Sequence, residues 1–212
     1  RRYEPLARGE PRAACVSPGH IARRLLRRER TGAGGEDVCA ESADRVRRYP
    51  EEGFVHDGEP GLGRIAILTS DMRFTIYADG GARGNPGPAG AGAAVLSEAG
   101  ETLIEVSEFL GHATNNFAEY TAVLRALEAL ADYLGAGAKD AEVSVRMDSL
   151  LVVEQMSGNW KIKHPGLKPL WARVGALAGL FKSVTFSHVP RAKNAHADRL
   201  ANAAMDSGMG RI

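Results

Sequence analysis

A strand that carries an acid near its end and runs into a turn of small residues constrains this chain more than any other stretch. Between Phe74 and Asp79 apolar and polar residues alternate strictly, which is typical of a β-strand with one buried face. A turn dense in Gly, Asn and Pro follows, and the apolar run over 91–96 predicts the partner strand of a hairpin. Because glycine leaves the backbone accessible, a bulky charged ligand can approach the chain closely beside Asp79. An acid before a turn is common, so this carboxylate indicates chemistry only in the company of others.

The pattern downstream predicts one ordered domain over 72–208. We expect strands over 73–79, 90–97, 101–110, 143–148 and 184–189, and helices over 115–134, 149–156, 167–180 and 194–206. The first three strands form an antiparallel meander. Asn115 or Asn116 is expected to cap the first helix at its start and Gly135 at its end, and Gly208 is expected to end the last helix. This order predicts an α+β (layered α/β) fold on a mixed five-stranded sheet flanked by helices.

Residues 1–71 differ from the rest in composition. They hold 13 Arg and no Lys against 12 Asp plus Glu, and Gly and Pro interrupt them throughout. We predict a disordered or loosely structured Arg-rich extension. The alternative is that the patch over 21–30 forms a short basic helix that touches phosphates. Residues 209–212 are predicted to be a tail.

Composition excludes several classes of protein. The net charge of +1 gives no general attraction for nucleic acid, so a basic groove would have to be local. No apolar run is long enough to predict a transmembrane helix, and arginines 23 and 24 interrupt the only stretch resembling a secretory signal. Cys15 and Cys39 give no disulfide framework, which favours a reducing compartment and a cytoplasmic location. No obligate protein partner is evident, and we expect a monomer.

Four acids occupy comparable positions in the predicted elements. Asp79 and Asp148 end strands, Glu119 lies early in a helix and Asp198 lies in the last helix. If the two strands are adjacent and parallel, all four carboxylates can meet at one end of the sheet. Such crowding needs a counter-charge, and Mg²⁺ prefers oxygen ligands, whereas the lack of His and Cys argues against zinc. Two such ions would activate a water molecule and stabilise the leaving oxygen of a phosphodiester displacement.

Five sequence motifs over about 73–206 resemble those of type 1 ribonuclease H, most closely its compact bacterial and archaeal branch. They are Tyr77–Gly81, Gly84–Gly90, Thr114–Tyr120, Met147–Ser149 and Val189–Ala201. The resemblance implies a ribonuclease H-like fold in which Asp79, Glu119, Asp148 and Asp198 form the catalytic, metal-binding quartet. It further implies two Mg²⁺ ions with substrate bound, with Mn²⁺ as a substitute. The expected activity is cleavage of the RNA strand of RNA–DNA hybrids, leaving 5′-phosphate and 3′-hydroxyl ends.

The resemblance also implies a surface for the RNA strand. An enzyme that distinguishes RNA from DNA must read the 2′-hydroxyl across a shallow minor groove. The positions that match are the backbone at Gly80 and Gly81 and the amides of Asn85, Asn115 and Asn116. Turn formation remains an alternative role for Asn85, and helix capping for the other two amides.

Contacts to the DNA strand are expected elsewhere. Thr114 matches a contact to a DNA phosphate. We expect the Trp160 ring to stack on that strand, and Lys161 and Lys163 to pair with its phosphates. Core packing is the alternative for Trp160.

The loop before the last acid departs from the family. Many members carry a His there that is associated with product release, but the loop over 190–195 contains none. Arg191 is the candidate replacement, and both Arg191 and Asn194 are predicted to bind substrate.

Two other functions remain open. The same fold serves as a 3′–5′ exonuclease or a resolvase, but the RNA-reading asparagines argue against this. It also serves as a catalytically silent hybrid-binding module when an acid is lost, but all four acids are present.

Overall fold

The computed structural model describes residues 14–16, 46–48 and 72–210. The strands are β1 (Ala14–Val16), β2 (Val46–Arg48), β3 (Met72–Ala82), β4 (Gly87–Leu96), β5 (Thr102–Ala113), β6 (Ala141–Met147) and β7 (Ser183–His188). The helices are α1 (Asn115–Leu134), α2 (Leu150–Met156), α3 (Lys168–Ala178) and α4 (Ala195–Met209), joined in places by short 3₁₀ turns. The strands form one mixed sheet in the order β1-β7-β6-β3-β4-β5-β2.

The five predicted strands form the centre of this sheet, and the expected meander and the parallel pairing of the first and fourth strands are both present. β3, β4 and β5 make the antiparallel meander, whereas β6 pairs parallel with both β3 and β7. The first strand is longer than predicted, because β3 does not stop at Asp79 but continues to Ala82, with Asp79 opposite Gly92. The small residues after Asp79 keep the chain in the pleat, so the acid projects from within a paired strand.

Helices cover both faces of the sheet. Successive strand residues point to opposite faces, and the adjacent glycines Gly80 and Gly81 face α1 and Met205 of α4, respectively. Glycine is required where α4 crosses β4, because a Cβ at Gly92 would lie 2.2 Å from the backbone nitrogen of Ala201. α3 packs against α1 in the core on the other face.

Two of the predicted helix ends are wrong. The N-cap of α1 is Thr114, whose Oγ1 accepts a hydrogen bond from the Phe117 amide at 3.3 Å, and not Asn115 or Asn116. Gly135 does end α1, as predicted, with a positive φ of 52°. Gly208 does not end α4, which continues to Met209 with Gly210 as its C-cap. Gly208 is instead needed for packing, because a Cβ there would lie 2.1 Å from the ring of Phe109.

Short strands from the N-terminal part extend both edges of the sheet, which the sequence did not predict. β1 pairs antiparallel with β7, and β2 pairs antiparallel with β5. Edge strands present unpaired N–H and C=O groups that accept a three-residue strand without any periodic signal in it. The predicted loose structure over the rest of 1–71 and the basic helix over 21–30 lie outside the described residues, as do residues 211 and 212 of the predicted tail.

Within the described part of the chain, no helix has both the length and the apolar character needed to cross a membrane.

Candidate active site

The four predicted acids line one pocket at one end of the central strands. Asp79 projects from β3, and Asp148 directly follows the parallel neighbour β6, so the two strands deliver both carboxylates to the same end. Glu119 is the fifth residue of α1, and Asp198 lies in the first turn of α4. The structure therefore brings together acids from four separate elements and from both helical layers.

Close contact between β3 and α1 places Glu119 beside Asp79. A Cβ on Gly80 would lie 2.2 Å from the carbonyl carbon of Ala118 and from the nitrogen of Glu119, so only glycine allows this approach. The Glu119 carboxylate accepts hydrogen bonds from Asn115 Nδ2 at 3.0 Å and from Ser149 Oγ at 2.5 Å. Its orientation is thus set by α1 itself and by the N-cap residue of α2.

Asp148 is held by the side chain of Asn194. The Asn194 amide donates to Asp148 Oδ1 and to the carbonyl oxygen of Ala78, both at 2.9 Å. Asn194 is fully buried, so the predicted contact of its side chain with substrate is wrong. The Asn194 amide instead connects β3 to Asp148, the acid that follows β6.

Asp198 lies between two side chains on the open side of the pocket. Arg191 Nη2 donates to Asp198 Oδ1 at 2.6 Å, and Asn202 Nδ2 donates to Oδ2 at 3.1 Å. The Arg191 side chain is 76% exposed, and its hydrogen bond to Asp198, together with the charges of the nearby acids, raises its pKa. Arg191 therefore lines the pocket from a largely exposed position.

The acids perturb one another's ionisation. Burial is the main cause that raises the pKa of Asp79 to about 7, and the charges of Asp148 and Asp198 add to it. Burial likewise raises the pKa of Glu119 to about 7, although the hydrogen bond from Ser149 opposes the rise. Ionising Asp79 and Glu119 is therefore unfavourable in the pocket as it stands, and a bound cation would offset that cost.

The donor set fits a hard divalent cation that also binds water and substrate. All four side chains offer oxygen, which Mg²⁺ prefers. No three His, Cys, Asp or Glu side chains in the described part of the chain converge into a ready-made metal cluster. Each carboxylate other than Asp79 is turned towards a hydrogen-bonding side chain. The site thus resembles an open set of ligands rather than a closed cage.

The predicted RNA-strand residues surround the same pocket. Gly80, Gly81 and Asn115 line it directly. The backbone N–H of Asn115 donates to Asn85 Oδ1 at 3.2 Å, which joins the turn after β3 to the start of α1. Asn116 is the next residue of α1 and is partly buried. Thr114, the predicted DNA-strand contact, caps this helix end.

The predicted DNA-strand residues Trp160 and Lys161 lie outside the pocket, in the loop after α2. Trp160 is 49% exposed, so core packing does not explain it. The backbone of Lys161 accepts a long hydrogen bond of 3.5 Å from Gln155 Nε2, and Gln155 in turn accepts one from the buried Tyr120 hydroxyl at 2.8 Å. This chain of bonds fixes the loop to the core and leaves the Trp160 ring available to a ligand.

Sequence reasoning missed three polar residues of the site. Ser149 holds Glu119, Asn202 holds Asp198, and Arg83 lines the pocket. Two of these residues could have been identified from sequence patterns. Ser149 stands at the N-cap position before an apolar run, and Asn202 stands one helical turn after Asp198. Arg83 gave none beyond its place in the turn after Asp79.

Comparisons with known proteins identify relatives of this chain. A family model described as reverse transcriptase-like matches residues 77–204. The chain is 50% identical over 137 residues to a bifunctional protein of Mycobacterium tuberculosis, a match that covers 64% of this chain and 36% of that protein. The chain thus spans about a third of the length of the mycobacterial relatives it matches.

Two further matches cover most of the related protein. The chain is 44% identical over 160 residues to ribonuclease HI of Halobacterium salinarum, which covers 74% of this chain and 77% of that protein. A solved structure of LC11-RNase H1, a protein isolated from compost, in complex with an RNA/DNA hybrid is 48% identical with a TM-score of 0.61. That match covers 64% of this chain and 99% of the solved one.

Proposed function

Because this chain belongs to the type 1 ribonuclease H family, we propose that it hydrolyses the RNA strand of RNA–DNA hybrids and leaves 5′-phosphate and 3′-hydroxyl ends. The observation that carries the proposal is that Asp79, Glu119, Asp148 and Asp198 line one open pocket. The hybrid bound by LC11-RNase H1 supports the choice of substrate.

The four acids would hold two Mg²⁺ ions once substrate is bound, and Mn²⁺ would substitute. Such ions supply an activated water molecule and stabilise the charge that develops on the scissile phosphate. The protein's part is to hold the carboxylates. Ser149 and Asn115 orient Glu119, and Asn194 orients Asp148. Arg191 neutralises Asp198 and is exposed enough to exchange this acid for a phosphate of the substrate.

Recognition of RNA would come from short polar groups beside the acids. Asn85, Asn115 and Asn116, with the backbone at Gly80 and Gly81, would contact the RNA strand and its 2′-hydroxyls. Thr114, Trp160 and Lys161 would contact the DNA strand, with the exposed ring stacking on it and the lysine pairing with a phosphate.

We assign the activity to the predicted domain over 72–208, because all the described residues that line the pocket come from this part of the chain. For the same reason we propose that the active unit is a monomer that needs no obligate protein partner. A cytoplasmic location agrees with the absence of a disulfide framework in the two-cysteine sequence.

The deciding experiment is cleavage of a hybrid labelled separately on each strand, beside the matching DNA duplex, with Mg²⁺ and with EDTA. We expect internal cuts in the RNA strand only, and only with metal. Fragments that a 5′-phosphate-dependent exonuclease degrades would establish the product ends. Metal-independent binding without any cut under Mg²⁺ or Mn²⁺ would favour the silent hybrid-binding module, and cuts confined to RNA ends or to DNA would favour an exonuclease or resolvase.

A further inference from the structure

Arg83 is a second arginine that lines the acidic pocket, and it differs from Arg191 in the partner that it bonds to. Both line the pocket in the described part of the chain, but Arg191 bonds to one of the four acids, whereas Arg83 does not. The Arg83 guanidinium is bonded to Asp206 and lies 3.8 Å from the sulfur of Met209, both in the last turns of α4. Arg83 therefore lines the pocket while its guanidinium is paired with Asp206 and not with one of the four acids.

The backbone of Arg83 is fixed at the start of the turn after β3. Its N–H donates to the Pro88 carbonyl at 2.8 Å, which closes the turn. A Cβ on Gly87 would lie 2.2 Å from the Arg83 carbonyl oxygen, so the turn is tight. Arg83 stands four residues after Asp79, which at about 3.3 Å per residue places its Cα about 13 Å along the strand direction. Both residues line the same pocket, and the long Arg83 side chain spans part of this separation, so one substrate strand could contact both.

The partner of Arg83 is one that a ligand can displace. The Arg83 side chain is 46% exposed and the Asp206 side chain is 62% exposed. Exposed ion pairs contribute little to stability, because both charges remain well solvated. A guanidinium group binds a phosphate through two parallel hydrogen bonds. The exposed ion pair with Asp206 does not prevent Arg83 from doing so.

We infer that Arg83 binds a phosphate of the RNA strand next to the scissile one, and that Asp206 holds its side chain in place until substrate arrives. This rests on the proposed function, since it takes the strand that is cut to lie along the four acids. Phosphate contacts of this kind set the register of a nucleic acid rather than its sequence. Arg83 is thus a positioning contact to substrate at the end of the pocket where α4 ends.

The first test is the salt dependence of hybrid binding in EDTA, so that binding is measured apart from cleavage. We expect Arg83→Ala to weaken binding about tenfold at low salt, the loss of one charged hydrogen-bonded contact. The slope of log affinity against log salt should fall by about one. Arg173→Ala is the matched control, because Arg173 also pairs with an acid on the surface but lies on α3, away from the pocket. It should leave affinity within about twofold.

The second test distinguishes a phosphate contact by Arg83 from a purely structural role of its ion pair with Asp206. Asp206→Asn should increase hybrid affinity more than Asp140→Asn does, because only the first change also frees the Arg83 guanidinium. Asp140 is an exposed acid just before β6, at the end of that strand opposite Asp148, and it controls for net charge. If the pair only fastens α4 to the turn, Arg83→Ala and Asp206→Asn will lower the melting temperature alike without a change in salt slope, which overturns the inference.

The third test identifies the strand. Hybrids with a single neutral methylphosphonate at successive positions are compared between the wild type and Arg83→Ala. We expect one RNA-strand position beside the cut where the neutral linkage weakens wild-type binding but not that of the variant. Coupling only to DNA-strand positions would overturn the assignment. Wild-type protein that binds but never cuts would count against the proposed function, whereas wild-type cutting with no such coupling overturns only the Arg83 assignment.

Discussion

One buried amide links two acids of the pocket: Asn194 donates to Asp148 Oδ1 and to the carbonyl oxygen of Ala78, the residue before Asp79. A single side chain on the loop before α4 thereby sets the relative position of two carboxylates that come from different strands. Asn194 is fully buried, so it acts on the reaction only through the residues it holds.

Replacing Asn194 should therefore damage catalysis more than binding. Asn194→Ala leaves the Ala78 carbonyl and Asp148 without their donor, which costs about 1–3 kcal/mol of stability. We expect a lower kcat with KM changed less than threefold. Asn159→Ala removes a comparable amide that bonds to Glu154 on the surface, and it should change neither the stability nor the kinetic constants. Thermal melts and steady-state cleavage assays measure both effects. A raised KM at unchanged kcat would restore the substrate contact predicted from the sequence.

Asp79→Asn should abolish cleavage while leaving hybrid affinity within about tenfold. The amide removes one anionic oxygen from the metal-binding set but keeps the shape of the side chain. The same change should reduce the rise in melting temperature that Mg²⁺ produces in the wild type, because a weaker ligand set stabilises the folded state less. Calorimetric melts with and without Mg²⁺ measure this. Turnover retained in the variant would refute the assignment of Asp79.

The stability of the metal-free protein should fall as pH rises from about 4 to about 7. Burial holds the pKa values of Asp79 and Glu119 at about 7, whereas carboxyls in an unfolded chain titrate near 4. In that interval the folded protein keeps protons that the unfolded chain has released, so deprotonation favours unfolding. Above about pH 7 both states are ionised and the loss is complete.

The wild type and Asp79→Asn should be compared by melting temperature across this interval in EDTA. The variant lacks one of the two groups, so its decline should be shallower, and the difference between the two proteins isolates the contribution of Asp79. Parallel curves for the two proteins would show that Asp79 does not titrate near neutrality.

Much of the site could be predicted from the sequence because its acids sit in local patterns. The alternation around Asp79 and Met147 located two strands, and their parallel pairing made the carboxylates neighbours. The bonds of Asn194 and Ser149 depend on the approach of separate elements, so no local pattern specified them. Thr114 caps α1 by accepting a hydrogen bond from the Phe117 amide, whereas the Asn115 side chain donates to Glu119.

The sheet edges show a different limit. A three-residue strand such as β1 or β2 carries no periodicity to detect, and its pairing is determined by the free edge it meets. Gly208 was misassigned for a related reason: glycine serves equally as a helix end and as a site of close packing. The close contact of Gly208 with the Phe109 ring, which the sequence does not reveal, shows that this glycine is a packing site.

A chain that begins at residue 72 should still cut hybrid, because the residues that line the pocket all lie after that point. Its melting temperature should be lower than that of the full chain, since β7 and β5 lose their edge partners. Light scattering should show more self-association through these exposed edges. Loss of a cooperative melt would show instead that the N-terminal part belongs to the folding unit.

Gly80→Ala should separate the packing of β3 on α1 from the chemistry of the acids. The added methyl group would lie 2.2 Å from backbone atoms of Ala118 and Glu119, which cannot move aside as a flexible side chain can. Overpacking of this kind costs about 1–3 kcal/mol, and the relaxation that relieves it moves Glu119 away from Asp79. We expect a folded protein with strongly reduced kcat. Gly137→Ala is the control, because its new Cβ would meet only the end of the Met72 side chain, at an ordinary 3.5 Å. Wild-type cleavage by Gly80→Ala at an unchanged melting temperature would mean that this close approach does not set the distance between the two acids.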